Sequence, residues 1–137
     1  MAKTFTAPFA QTPNTATAIC TAASTGANSS PTNTVLLLTA GADGAMLTRL
    51  TAIPRATVTA SSLIVYLSKD SGTTKLMLDS EVMAAHTVAT TTAIPETIFA
   101  NYDETTPLRL GANDQIYVGS QVALASGIVF RAEYTDF

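Results

Sequence analysis

Short runs of alternating apolar and polar residues, separated by turn-forming residues, make up most of this chain of 137 residues. The alternation is clearest near the end, where Ile128, Phe130, Ala132 and Tyr134 fall on one face of an extended segment. A period of two residues is typical of a strand in a sheet that has one buried face. About eight to ten such segments, with turn signals roughly every 8–12 residues, predict an all-β fold, an antiparallel β-sandwich.

Two pairs of segments predict neighbouring strands. In the middle of the chain, the apolar runs 63–67 (LIVYL) and 75–78 (KLML) flank the turn-forming residues 68–74 (SKDSGTT), which predicts a hairpin. Near the end, strands predicted over 115–124 and 127–135 flank a minimal turn. The first of these strands carries Ile116, Val118, Val122 and Leu124 on one face.

Other segments are irregular or ambiguous. Residues 24–33 (STGANSSPTN) predict a loop, and 41–44 (GADG) predict a turn. The strand that follows this turn is expected to bend or stop at Pro54, because proline lacks the amide donor that a ladder needs. Residues 81–86 (EVMAAH) favour a helical turn, whereas the β-branched residues of 87–92 (TVATTT) favour a strand.

The domain organisation is simple: residues 1–14 predict an extended N-terminal arm, and residues 15–137 predict a single sandwich domain. Two prolines in MAKTFTAPFAQTPN disfavour a helix in the arm. Phe5 and Phe9 in this arm would each cost about 1.5–3 kcal/mol to leave in water. Two interpretations stay open: the arm folds back on its own domain, or it straps a neighbouring subunit.

The small number of charged residues in this chain favours protein partners over nucleic acid. Charged residues make up 12% of the chain, against about 25% in ordinary soluble domains. Interface cores are depleted in charge, so this surface suits permanent contact with protein, including a dimer or trimer of the chain itself. The seven Lys and Arg residues are scattered, which disfavours nucleic acid. No apolar run approaches the ~20 residues that span a membrane, and no secretion signal is recognised at the start, so synthesis in a cytoplasm is expected.

Candidate chemistry is sparse. Cys20 is the only cysteine, which excludes an internal disulfide; it is interpreted as a small buried side chain, with an intermolecular disulfide or reactive thiol as the alternative. His86 is the only histidine and has no nucleophile motif near it, so a surface or interface histidine is expected. The carboxylates fall in predicted turns and strand ends. The sequence therefore predicts no enzyme, no catalytic residue, no metal site and no cofactor.

A resemblance adds to this interpretation. The segment LRLGANDQIYVGS (108–120) resembles hairpins that are common in jelly-roll sandwiches. The start MAKTF, the Thr- and Ala-rich strands, the hairpin YLSKDSGTTKLM and the end FRAEYTDF together resemble small virion proteins of tailed bacteriophages, and among them head decoration (cement) proteins. The resemblance implies a jelly-roll-like sandwich that sits outside the capsid, binds the major capsid protein and clamps adjacent capsomers.

Contact residues and alternatives follow from this hypothesis. The predicted contacts are Phe5 and Phe9 in the arm and Tyr102 in the loop 101–107 (NYDETTP). A tail, neck or fibre adaptor of a phage is an alternative. A glycan-binding β-sandwich module is another, although the chain has no tryptophan and only 7% aromatic residues.

Overall fold

The computed structural model describes residues 12–25 and 30–137. These residues form nine strands and no helix, which confirms the predicted all-β fold. The strands are β1 (Thr12–Cys20), β2 (Val35–Thr39), β3 (Ala45–Pro54), β4 (Ser61–Ser68), β5 (Leu76–Met83), β6 (Thr97–Ile98), β7 (Leu108–Leu110), β8 (Gln115–Ser120) and β9 (Ile128–Asp136).

The strands form two antiparallel sheets with nested pairing. Sheet A has the order β1-β9-β3, with β6 and β7 both pairing to the far side of β3. Sheet B has the order β2-β8-β4-β5. The first strand therefore pairs with the ninth, the second with the eighth, the third with the sixth and seventh, and the fourth with the fifth. This nesting is the arrangement of a jelly roll, in which one long hairpin folds over into two packed sheets.

The core lies between the inner faces of the two sheets. Its largest members include Phe99 and Phe130, whose ring centroids are 6.4 Å apart. Tilted aromatic pairs at this separation stabilise a core beyond their burial alone. Branched aliphatic side chains fill the rest of this layer: Leu47, Leu50, Leu63, Val65, Ile116, Val118 and Ile128, each at most 1% exposed.

β9 shows how the alternation of the sequence becomes a buried and an outer face. Ile128, Phe130 and Ala132 are fully buried, and Tyr134 packs partly against the core, as the period of two predicts. The residues between them point outward from sheet A. Since β9 pairs with β1 on one side and β3 on the other, its backbone has partners along its whole length.

Turns at one end of the sandwich are joined through Asp114, whose side chain is 7% exposed. Its Oδ2 accepts hydrogen bonds from Lys69 Nζ and from the Gly111 amide, each at 2.8 Å. Its backbone carbonyl accepts a bond from the Ala40 amide at 2.8 Å. This one residue thus ties the β2–β3, β4–β5 and β7–β8 connections together.

The predicted turn at 41–44 is confirmed, and Gly44 is required there. Its φ is +93°, and a Cβ at this position would lie 2.4 Å from the carbonyl oxygen of Leu110. A side chain at this position would force the backbone of β7 to move. The turn places β3 directly after β2 but in the other sheet.

The predicted helical turn over 81–86 is wrong. β5 continues to Met83, where it still pairs with Ser61 of β4, and His86 forms a bridge with Val58. Pairing with a neighbouring strand overrides the weak helix preference of these residues. Residues 87–92, predicted as strand, form no strand in the structure, because no described strand lies beside them.

The boundary of the predicted arm also differs. β1 begins at Thr12, so the last three residues assigned to the arm, 12–14, belong to a strand. Asn14 Nδ2 donates a hydrogen bond to Asp136 Oδ2 at 2.9 Å, which fixes the start of β1 against the end of β9. Pro13 is tolerated because β1 is an edge strand. The prediction for residues 1–11 lies outside the described residues.

Two connections that the sequence placed between neighbouring strands join different sheets instead. β7 lies in sheet A and β8 in sheet B, so 108–120 is a crossing between sheets. The closing pair crosses in the same way, because β8 lies in sheet B and β9 in sheet A. β8 ends at Ser120, four residues earlier than predicted, where Ser120 Oγ bonds the carbonyl of Val122 at 2.9 Å and turns the chain. The β4–β5 hairpin, in contrast, is confirmed.

The role of Asp114 gives a stability prediction. We expect Asp114→Ala to lower the free energy of unfolding by about 1.5–3 kcal/mol, because it removes the charged acceptor of the partly buried hydrogen bond from the Gly111 amide. The control Lys69→Gln removes only the partner that is 68% exposed, and a change below about 1 kcal/mol is expected. Urea unfolding followed by circular dichroism measures both. Equal destabilisation by the two variants would contradict the role assigned to the Gly111 bond.

Candidate functional site

Side chains capable of catalytic or metal chemistry are dispersed. Within residues 12–25 and 30–137, no group of three His, Cys, Asp or Glu side chains is placed to hold a metal ion. The backbone of His86 exchanges hydrogen bonds with that of Val58 at 2.9 and 3.0 Å. Its Nε2 is buried and has no hydrogen-bond partner among the described residues, so no acidic group orients it as a general base.

Cys20 is a buried core residue, only 1% exposed. Its Sγ lies 3.6 Å from the carbonyl oxygen of Val118, as a weak donor would. Burial raises the pKa of the Cys20 thiol to about 12. The reactive thiolate is therefore nearly absent at neutral pH, which favours the interpretation as a small buried side chain over the reactive alternative.

The three predicted contact residues have different outcomes. Phe5 and Phe9 lie outside the described residues. Tyr102 is 9% exposed and belongs to the core. Its pKa is raised, first by burial and then by the charge of Asp79 and a hydrogen bond with it. In this structure the ring of Tyr102 packs the loop onto the sandwich, and its role as a contact residue stays a prediction.

The loop that follows Tyr102 is held by one carboxylate. Asp103 Oδ1 accepts four hydrogen bonds: from the amides of Thr105 and Thr106 at 2.8 and 2.7 Å, and from their hydroxyls at 2.7 and 3.0 Å. The Thr105 hydroxyl and the other donors lower the pKa of Asp103 to about 2. These local bonds make a compact turn and need no ligand to complete them.

Aromatic platforms for sugar stacking are not exposed in the part of the chain that the structure describes. Tyr66 is fully buried, and its hydroxyl lies 3.1 Å from Ser24 Oγ. Tyr117 carries the ammonium of Lys75 over its ring, 4.7 Å from the centroid. Tyr134 packs partly against the core. Every aromatic side chain of these residues is buried or half-buried, which disfavours the glycan-binding alternative.

The main surface feature is a line of exposed apolar side chains across sheet A. Ile19 of β1, Val129 of β9 and Ile53 of β3 lie directly opposite one another on the outer face. Ile98 of β6 is diagonal to Ile53, because it pairs with Thr51, two residues earlier on β3. Ile19, Ile53 and Ile98 are 45%, 38% and 53% exposed.

The line turns around the edge of the sandwich into a groove. This edge groove is formed where β5 of sheet B meets β6 of sheet A, and Val82, 72% exposed, and Ile98 both line it. We call Ile19, Val129, Ile53, Ile98 and Val82 together the apolar band. The groove is shallow, about 290 Å³, and is also lined by Pro54, Glu81, Met83, Ala84, Pro95, Glu96 and Thr97.

Charged groups border the apolar band on one side. Glu96 accepts a hydrogen bond from Arg49 at 3.1 Å and lies 3.9 Å from Arg131. Arg131 also lies 4.0 Å from Glu133. Such half-exposed pairs stabilise a fold little.

β5 carries features that oppose strand addition at its free edge. Its pairing with β4 shifts register between Val65 and Tyr66, a β-bulge. Asp79 and Glu81 lie opposite Val65 and Leu63, so both carboxylates share the inner face of the strand. Bulges and inward-pointing charges are ways in which proteins protect exposed sheet edges. The apolar side chains here are thus available for side-chain contact more than for backbone pairing.

Sequence reasoning missed the apolar band. The helix predicted over 81–86 assigned Val82 to the wrong kind of element. The segment LDSEVM (78–83) gave no clear signal, because three polar residues in a row interrupt any alternation with a period of two. No local signal marks Ile98 as exposed, since its accessibility depends on where β6 pairs with β3.

Comparisons with known proteins add no family. No family model matches the chain, and neither a curated protein nor a solved structure matches it. Among the described residues there is no helix that could cross a membrane. The geometry of this chain is therefore the basis of its candidate site.

The burial of Cys20 predicts its reactivity. At about pH 8 only roughly one thiol in ten thousand would be ionised at a pKa of about 12, so Ellman's reagent should not label the folded protein. The same reagent should label one thiol per chain in concentrated guanidinium chloride. Rapid labelling of the folded protein would show that Cys20 is accessible.

The loop at Asp103 predicts a pH dependence. The ordinary pKa of an Asp carboxyl is 3.8, and at pH values above it the lowered pKa of Asp103 stabilises the loop. This contribution is lost as the pH falls through about 2. Titration of the Asp103 carboxyl carbon and the Thr106 amide by NMR should give a midpoint near 2. Thr105→Val removes one donor and should raise the midpoint. A midpoint at the ordinary value in the unmodified chain would contradict the four hydrogen bonds.

Proposed function

We propose that this chain is a structural virion protein of a tailed bacteriophage that decorates the capsid and stabilises it by bridging capsomers. The observation that carries the proposal is the apolar band on a sandwich in which chemistry-bearing side chains are dispersed. Contiguous exposed apolar surface on a soluble protein marks sites of protein contact. The major capsid protein is the proposed partner of the part of this surface that Ile19, Val129 and Ile53 form on sheet A.

The fold is compatible with this role but is an analogy only. Jelly rolls occur in viral capsid and lectin domains among others, and a fold does not determine a function. The lectin use would need exposed aromatic rings, which the described residues do not provide. The use as a capsid component needs rigid, repeated contacts, and the antiparallel pairing of the nine strands supplies rigidity.

The physical reason for such a protein lies in repetition. A small protein that bridges capsomers adds buried area at each contact between them, and a lattice multiplies modest affinities through avidity. The low charge of this chain, 12%, lowers the desolvation penalty at each contact. The protein would then act on the capsid exterior after synthesis in the host cytoplasm.

The test is removal of the gene from the phage that encodes it. We expect particles without the protein to release DNA several degrees lower on heating and to resist chelation less well. Complementation with the unmodified chain should restore stability. Ile53→Lys in the apolar band should not restore it, whereas Leu36→Lys on sheet B, also exposed, should.

The outcomes separate the alternatives. Hundreds of copies per particle by quantitative mass spectrometry would support decoration. A small number in multiples of three or six would favour the tail, neck or fibre adaptor. Absence from the particle, or unchanged particle stability without the protein, would overturn the proposal. Binding on a glycan array would support the module that the tyrosine geometry disfavours.

A further inference from the structure

The edge groove has a chemistry that selects its occupant. Val82 and Ile98 are the exposed large apolar residues that line it, at 72% and 53%. Glu81 and Glu96 supply carboxylates beside them. Glu96 is engaged by Arg49 and Arg131, whereas Glu81 forms no ion pair with any residue that the structure describes. An apolar segment with a single cation would complement this groove.

A second β5 strand is a poor occupant. In an antiparallel pair of β5 strands centred on Ser80, inner residues face inner residues, and Asp79 lies opposite Glu81 of the second copy. Like charges directly opposite each other destabilise a strand pair. The bulge in β5 further disturbs the ladder.

The segment before β1 has the required composition. Residues 1–11, MAKTFTAPFAQ, contain two phenylalanines, and Lys3 is their one charged side chain. Phe5 and Phe9 would lie about 14 Å apart in an extended segment. Exposed apolar side chains of β5 occur at residues 76–78 and, beyond the polar residues 79–81, at Val82. Leu78 and Val82 are about 13 Å apart along the strand, so one ring can lie at each.

The position of β1 decides which copy supplies the segment. Thr12 lies opposite Asp136, which lies opposite Ala45, so the chain leaves at the far edge of sheet A from β6. Ile98 pairs with Thr51, six residues along β3. Thr12 and Ile98 are three strand spacings apart across the sheet and six residues apart along it, which together give a distance of about 25 Å. Phe9 reaches at most about 10 Å from Thr12, so the two rings cannot both lie at the groove of their own chain.

We propose that the edge groove and the exposed β5 side chains next to it bind residues 1–11 of a second copy of this chain, with Phe5 and Phe9 on these apolar side chains and Lys3 beside Glu81. The inference concerns the isolated protein and does not depend on a virion location. Its failure would leave the capsid test unaffected, and the reverse also holds.

The first experiment measures self-association of the full chain by analytical ultracentrifugation over a range of concentrations. We expect concentration-dependent association of the unmodified chain. Val82→Lys and the double variant Phe5→Ser, Phe9→Ser should each weaken it at least tenfold, because each removes apolar contact of about 1.5 kcal/mol or more. Leu36→Lys, on the opposite edge strand of sheet B and 43% exposed, is the matched control and should associate normally.

The second experiment tests whether the contact is between copies. A chain with Val82→Lys keeps its N-terminal segment, and a chain with Phe5→Ser and Phe9→Ser keeps its groove. Neither should associate alone, but an equimolar mixture should form a heterodimer through one segment and one groove. Charge exchange sharpens the result: Lys3→Glu and Glu81→Lys should each weaken association about 2- to 5-fold, and mixing the two variants should restore the pair.

Several outcomes would overturn the inference. A strictly monomeric unmodified chain would do so, as would a mixture of the two variants that fails to associate. If Val82→Lys abolished association but the phenylalanine variant did not, a surface of the second copy other than residues 1–11 would occupy the groove. Thermal unfolding midpoints of all variants within a few degrees of the unmodified chain ensure that none of these results reflects misfolding.

Discussion

β9 is paired along both edges, and this double pairing is the constraint on which the rest of the structure depends. It joins β1, at the start of the described chain, to the last strand: Asn14 and Asp136, which share a hydrogen bond, are 122 residues apart. Closing so long a loop lowers the entropy of the chain, and a large buried surface offsets this cost. The inner residues of β9 supply part of that surface, with Phe130 packed against Phe99.

The same pairing creates the functional surface. Each strand that joins β9 places its outer residues in register with those of β9, so Ile19 and Ile53 come to lie on either side of Val129. These three side chains come from positions spread over most of the chain. A single apolar residue on an outer sheet face is ordinary, whereas a contiguous line of them is the kind of surface for which we propose a protein contact. The core and the apolar band are thus two faces of one ladder.

The sheet edges at β5 and β6 continue the apolar band around the sandwich. β6 is only two residues long, and it pairs with β3 just far enough to bring Ile98 beside the band. β5 protects its own free edge with a bulge and two inward carboxylates. The edge therefore discourages uncontrolled strand addition while it still presents apolar side chains, a combination suited to a defined protein contact.

The period of two in the sequence determined that this chain is a sandwich and which residues of β9 are buried, because alternation and burial are linked locally. The β4–β5 hairpin followed from turn chemistry in the same way. Tertiary structure decided what local patterns do not contain. Residues 81–83 became strand because β4 was available to pair with them. The last two connections became crossings between the sheets. Tyr102 became a core residue and Ile98 an exposed one for the same reason: exposure depends on which distant strands meet, and that is settled by long-range packing.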